Sequence, residues 1–168
     1  MPIEEHRKAS EGIKVRFCLI VTSDSIYEGR KEDRVTPTVK GVVTQAGHEL
    51  VASTIIPNSR KHILRNVREG VGMCDVVLIT GGTGLSRRDI TVDVLRELCV
   101  KDVPGYGELF RLLTYQKHGV VAIASRALAC VVDNSLVFTT PGSPEAVKLA
   151  LNKVILPEIK HLIYELRR

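Results

Sequence analysis

Residues 15–22, VRFCLIVT, form a near-continuous apolar run rich in β-branched side chains, the pattern of a strand buried on both faces. Such a strand needs helices packed on each side, and helix-period segments follow it. One opens at Thr36-Pro37, read as an N-cap with proline at the first helical position, and runs to Gly47; in another, Ile63, Leu64, Val67 and Val71 recur at helical spacing. Further strands are predicted at residues 49–56, 76–80, 120–125 and 136–140. The alternation predicts an α/β chain, a three-layer αβα sandwich around a mainly parallel sheet. Residues 1–12 read as a flexible N-terminal tail and residues 13–168 as a single domain.

The C-terminal half carries its own punctuation. Residues 91–99 are helical in pattern, and PGYGELFRLLTYQ, from Pro104, reads as a glycine-hinged loop feeding another helix. In TTPGSPEA, Ser143 is an N-cap and Pro144 the first helical residue, with Gly142 able to present backbone N–H groups there. The rest is helical, with a kink or restart at Pro157.

Composition excludes several function classes. No apolar run approaches the roughly 20 residues of a membrane helix, and the polar MPIEEHRKASEGIK is no signal peptide, so a cytoplasmic protein is expected. The four cysteines, Cys18, Cys74, Cys99 and Cys130, form no CxxC pair and mostly sit in apolar stretches, which favours core thiols over metal ligands or disulfides. The five histidines lack HxH or HExxH spacing, and most read as solvated surface. A net charge of +5 suits a phosphorylated ligand. Three Phe, four Tyr and no Trp, without basic-aromatic interleaving, put nucleic acid well below a small molecule as the partner.

Chemistry concentrates in residues 76–93, VVLITGGTGLSRRDITVD, where a buried strand stops on three glycines, two arginines and two aspartates. Glycines there allow a tight turn that brings backbone N–H groups against an anion. Thr83 and Ser86 add hydroxyl donors, and Asp89 stands at the mouth of a helix, suggesting an anion together with a magnesium ion. The plainer alternative is a tight turn with Asp89 as an N-cap. Leu85-Ser86-Arg87 replaces the Gly-Lys-Ser/Thr of a Walker loop, and Arg87 stands at the third glycine of a dinucleotide fingerprint, so both motifs fail. In open α/β sheets ligands bind beyond the carboxyl ends of the strands. Four loops qualify, carrying Ser23-Asp24, Pro57-Asn58, residues 80–89 and residues 141–143.

These residues resemble the Mog/MoaB-type molybdenum cofactor biosynthesis family, the molybdopterin adenylyltransferase domain. The resemblance runs from about Val15 onward and rests on SDS at Ser23, the TGGTG-x-S-x-RD-x-T block from Thr80, PGYGELFR from Pro104, SRALA from Ser125 and PGSPEAV from Pro141. It implies transfer of AMP from ATP to molybdopterin with Mg2+, releasing pyrophosphate, by a trimer or hexamer that works with the molybdenum-insertion enzyme. By analogy Gly81, Gly82, Thr83 and Gly84, with Ser86, bind phosphate; Arg87 or Arg88 offsets charge; Asp89 holds the metal. Ser23, Asp24, Ser125, Arg126, Pro141, Gly142 and Ser143 line the molybdopterin site. For Arg126 a surface salt bridge is an equal alternative. The chain departs from the family at Asn58, where active members carry aspartate, at residues 33–37, DRVTP, in place of Asp-x-Ser-Gly, and at Cys130, where they carry glycine; Asn58 is nonetheless placed with Asp89 as catalytic. Two other functions stay open: a catalytically weak paralogue acting as molybdopterin carrier or trimeric scaffold, and a nucleotide pyrophosphatase-like hydrolase.

Overall fold

In the computed structural model, which describes residues 2–168, the strands are β1 (Arg16–Thr22), β2 (Glu49–Ile56), β3 (Val76–Thr80), β4 (Lys101–Asp102), β5 (Ala129–Val132) and β6 (Ser135–Thr140). They form one sheet in the order β2-β1-β3-β6-β5-β4. The first four are mutually parallel, whereas β5 runs antiparallel to β6 and β4 to β5. The sheet is thus mixed but mostly parallel, with helices on both sides.

Strand alternation explains the layers, because successive side chains point to opposite faces. From β1, Phe17, Leu19 and Val21 enter one core, joined by Leu78 of β3 and by α3 (Val35–Gln45), α6 (Pro104–His118), α7 (Pro144–Ala150) and α8 (Leu156–Arg167). Cys18 and Ile20 enter the other, with Val77 and Ile79 of β3 and with α4 (Arg60–Val71) and α5 (Thr91–Arg96). Residues 15–22 read as uniformly apolar because both faces are covered.

Several expectations are corrected. The segment expected as a flexible tail contains α1 (Pro2–Ser10), which packs on α8 and is tied to it by an ion pair between Arg7 Nη2 and Glu158 Oε2 at 2.9 Å. Residues 120–125 are not a strand: Gly119–Ala124 is a 3-10 turn, whose exposed Val120, Val121 and Ile123 imitate a strand's apolar composition. The strand actually present there, β5, falls in the ACVV stretch. Pro104 begins α6 directly, without a preceding glycine hinge. The N-cap position of α3 is Arg34 rather than Thr36, and the preceding Asp33 satisfies the first turn, its Oδ1 accepting from the backbone N–H groups of Val35 and Thr36 at 2.9 and 3.0 Å. All four cysteines are paired, Cys18 with Cys74 and Cys99 with Cys130. Sequence spacing hid this because both pairs meet only after distant segments pack into one core. His48, the one histidine outside the polar segments, is buried, its Nδ1 accepting from Val15 N at 3.0 Å. By contrast Ser143 caps α7 as expected, accepting from Ala146 N at 3.1 Å, and Pro157 lies in the first turn of α8 after a π-turn at Leu151–Ile155.

Candidate functional site

Strand order reverses between β1 and β3: β1 continues to β2 on one side, while β3 leads to β6 on the other. The carboxyl ends of β1, β3 and β6 therefore border a crevice, the place where this architecture accepts ligands. Gly81 leaves β3 at φ +88°, its N–H donating to Thr140 O of β6 at 2.9 Å. A Cβ there would lie 2.1 Å from Thr22 O of β1, so only glycine allows the three strand ends to close up. Gly82, at φ +69°, passes between Thr91 and Asn58; a Cβ on it would meet Thr91 Oγ1 at 2.1 Å and Asn58 Oδ1 at 3.2 Å. A Cβ on Gly84 would likewise meet Asp89 Oδ2, at 2.7 Å. A turn required only for chain reversal would not need three such approaches.

A cavity of about 520 Å3 opens beside this turn. Gly82, Thr83, Gly84 and Asp89 form one wall, Ser125 and residues 141–143 another. The far side comes from α6 and its continuation, with Phe110, Thr114, Lys117, His118 and Val121, and from Glu145 and Leu149. None of this far side was named as a site residue from the sequence, where Phe110 and Glu145 stand only inside the PGYGELFR and PGSPEAV stretches and His118 reads as solvated surface. At its rim Lys117 Nζ lies 2.6 Å and His118 Nε2 3.5 Å from Glu145 Oε1. The Lys117 ammonium holds the Glu145 carboxyl below its ordinary range.

The remaining sequence-derived residues lie around the cavity rather than in it. Ser23 Oγ accepts from Ile26 N at 3.3 Å, capping α2 (Asp24–Tyr27). Asp24 Oδ1 accepts from Asn58 N at 2.8 Å, a bond that holds the Asp24 carboxyl below its ordinary range and fixes the second loop against the first. Arg88 Nη1 stands 3.7 Å from Asp24 Oδ2, while Ser86 and Arg87 are exposed. Asp89 does not cap α5; its Oδ2 accepts from Ser86 N and Ser86 Oγ at 3.1 and 2.7 Å, closing its own loop.

Arg126, placed at the ligand by resemblance, is instead committed to the loop. Its guanidinium grips both Asp93 carboxylate oxygens at 2.9 Å and donates to Gly84 O at 2.9 Å and Asp89 O at 3.0 Å. This fork fits the planar geometry of arginine and makes Arg126 a positioning residue for the glycine turn. Cys130 does not reach the cavity: it is buried in β5 and bonded to Cys99, so that departure from the family leaves the pocket unchanged.

Five buried side-chain oxygens have no hydrogen-bond partner among the described residues: Thr22 Oγ1, Asn58 Oδ1, Thr80 Oγ1, Thr91 Oγ1 and Ser125 Oγ. Four belong to strand ends or loops around the crevice, and Thr91 begins α5. Buried polar atoms are normally satisfied; of these five, Ser125 Oγ belongs to a residue that lines the cavity, and Asn58 Oδ1 and Thr91 Oγ1 lie against Gly82 of the turn. With the Asp89 carboxylate they are hard oxygen donors, the set that suits Mg2+ together with phosphate.

Residues 18–161 match the family model described as "Probable molybdopterin binding domain". The chain belongs to the molybdopterin-binding domain family. Across its full length it is 38% identical to Molybdenum cofactor biosynthesis protein B of Bacillus subtilis, covering 99% of that protein. A crystal structure of Molybdenum cofactor biosynthesis protein B superimposes with a TM-score of 0.86 at 36% identity, covering 93% of this chain and 98% of that one. The tungsten cofactor synthesizing protein MoaB from Pyrococcus furiosus gives the same TM-score at 32% identity, over 92% and 98%. Its role thus lies in molybdenum cofactor biosynthesis. No described helix of this family member is long and apolar enough to cross a membrane.

Proposed function

We propose that the chain catalyses Mg2+-dependent transfer of AMP from ATP to molybdopterin. The observation that carries this reading is the cavity in which the close-packed glycine turn and Asp89 face Ser125 and the Pro141-Gly142-Ser143 loop. A terminal phosphate oxygen of molybdopterin attacks the α-phosphorus of ATP; the bond from that phosphorus to the bridging oxygen breaks, and pyrophosphate leaves with the electron pair. Two anions must be held in line, so the protein's work is positioning and charge compensation. Backbone N–H groups of Gly82, Thr83 and Gly84 hold phosphate oxygens, the Gly81 N–H being committed to Thr140 O, and Ser125 Oγ and Ser143 orient the second substrate. Asp89, with Asn58 Oδ1 beside the turn, would hold Mg2+, which supplies charge neutralisation on the phosphates when bound. Lys117 is poised at the rim to meet a phosphate in exchange for Glu145.

A homo-oligomer belongs to the same proposal: Leu109, Leu112 and Tyr115 on α6 are at least half exposed, beside exposed Val120, Val121 and Ile123. Apolar side chains so concentrated are expected at an interface between copies, and sedimentation of the protein as a monomer would contradict it.

Asn58 supports a second reading, a carrier that binds molybdopterin with weak or no turnover, because an amide retains a ligand oxygen but not its charge. Incubating the protein with molybdopterin, ATP and Mg2+ and weighing the products separates the two. Adenylylated molybdopterin with equimolar pyrophosphate supports transfer, while tight molybdopterin binding without product supports the carrier. Pyrophosphate or phosphate released from ATP alone would indicate hydrolysis instead. Asp89→Asn is expected to abolish turnover with the fold intact, and Asn58→Asp to raise it.

A further inference from the structure

Away from the cavity, α1 lies along α8 and brings together His6, His161 and Glu165. Among the described residues this is the grouping of three possible metal ligands whose donor atoms all lie within 4.8 Å of one another. Glu165 Oε1 is 2.5 Å from His6 Nδ1 and 3.6 Å from His161 Nε2. His161 and Glu165 are four residues apart on one helical face, so α8 presents both to the same point while α1 supplies the third group.

The surrounding contacts distinguish this cluster from a chance surface network. His161 Nδ1 lies 2.6 Å from Glu158 Oε1, and Glu158 is in turn held by Arg7 at 2.9 Å. A carboxylate on Nδ1 keeps the proton there and directs the Nε2 lone pair at Glu165, the arrangement by which outer carboxylates orient metal-binding imidazoles. The His6, His161 and Glu165 side chains are 27%, 17% and 37% exposed, leaving room for water as a fourth ligand. Every described cysteine is in a disulfide, so no thiolate competes for a soft metal. The cation now against the cluster is Arg168, with Nη1 at 3.1 Å from His6 Nε2 and 3.4 Å from Glu165 Oε1.

We propose that His6, His161 and Glu165 form a binding site for a borderline divalent cation of the Zn2+ class, oriented by Glu158 and Arg7, that clips α1 to α8. Two imidazoles and one carboxylate suit Zn2+ rather than Mg2+ or Ca2+, and the fourth position stays with water. Binding replaces the His6 proton facing Glu165 and displaces Arg168, which is about half exposed and free to swing away.

The test is a titration of the chelator-stripped full chain with Zn2+ against a chromophoric chelator. One Zn2+ per chain is expected, weakened by about tenfold or more in His6→Ala, His161→Ala and Glu158→Gln, and not weakened in Arg168→Ala, which loses the competing cation. Zn2+ should raise the melting temperature of the wild type and leave that of His6→Ala where it was. Co2+ in place of Zn2+ should give the intense visible bands of a tetrahedral site in the wild type only, a readout that a folding defect in His161→Ala would not mimic. Failure of the wild type to saturate at one ion per chain, or equal affinity in wild type and His6→Ala, would overturn the assignment.

Discussion

Replacing Gly81 by alanine should test the packing of the three strand ends that build the crevice. Two costs combine. At φ +88° a side chain meets the left-handed penalty of about 1–2 kcal/mol. The new Cβ would also sit 2.1 Å from Thr22 O, against an ordinary carbon-to-oxygen approach of about 3.3 Å, so backbone must move by about 1 Å. Thr22 is paired with β2, Gly81 is hydrogen-bonded to Thr140, and neither side yields easily. Forcing a methyl group into packing of this kind costs about 1–3 kcal/mol. The total, about 2–5 kcal/mol, is a large part of a typical domain's stability yet leaves the chain folded. With a urea dependence of about 2 kcal/mol/M, the unfolding midpoint should fall by roughly 1–2.5 M. Gly41→Ala is the control: Gly41 is inside α3 with open space where its Cβ would be, and alanine should stabilise it by about 0.5–1 kcal/mol. If Gly81→Ala unfolds at the wild-type midpoint, the close approach of β1 and β3 at this turn is wrong.

Arg126→Ala removes the fork on Asp93 and the bonds to Gly84 O and Asp89 O; in so exposed an ion pair the loss should be about 1–2 kcal/mol, with faster amide exchange across residues 84–89, and unchanged exchange would contradict its positioning role. Disulfides closing chain separations of 56 and 31 residues are each worth about 4 kcal/mol on loop entropy, so Cys99→Ala/Cys130→Ala should lower the melting temperature by about 8–16 °C. Coincident melts with and without reductant would show that the bridges do not form. Burial, aided by Lys160 and Lys14, holds the His48 imidazole below its ordinary value, so it stays neutral in the fold and takes up a proton near pH 6.5 when unfolded. The unfolded chain then binds more protons, and stability present above that pH declines as pH falls toward the folded value. His48→Gln should flatten this part of the urea-midpoint profile, and an unaltered slope would place its origin elsewhere.

Local patterns were enough to read β2 to the residue, the glycine turn after β3, and the Ser143-Pro144 start of α7, because burial on two faces and capping chemistry leave their mark within a few positions. The same is true of Gly81, Gly82 and Gly84, whose types and spacing state what the backbone must do there. Other features depend on residues that meet only across the folded sheet. The order of strands, the antiparallel β5 beside β6, and the short β4 leave weak marks in sequence, since β4 has two residues and β5 four. Arg126 could have faced a ligand or the loop, and only the placement of Asp93 and Gly84 chose between them. The far wall of the cavity on α6 comes from the same packing, and both disulfides and the meeting of His6 with Glu165 join groups 31 to 159 positions apart. A linear pattern records a residue's chemistry and its near neighbours; which distant group completes the site is decided by packing.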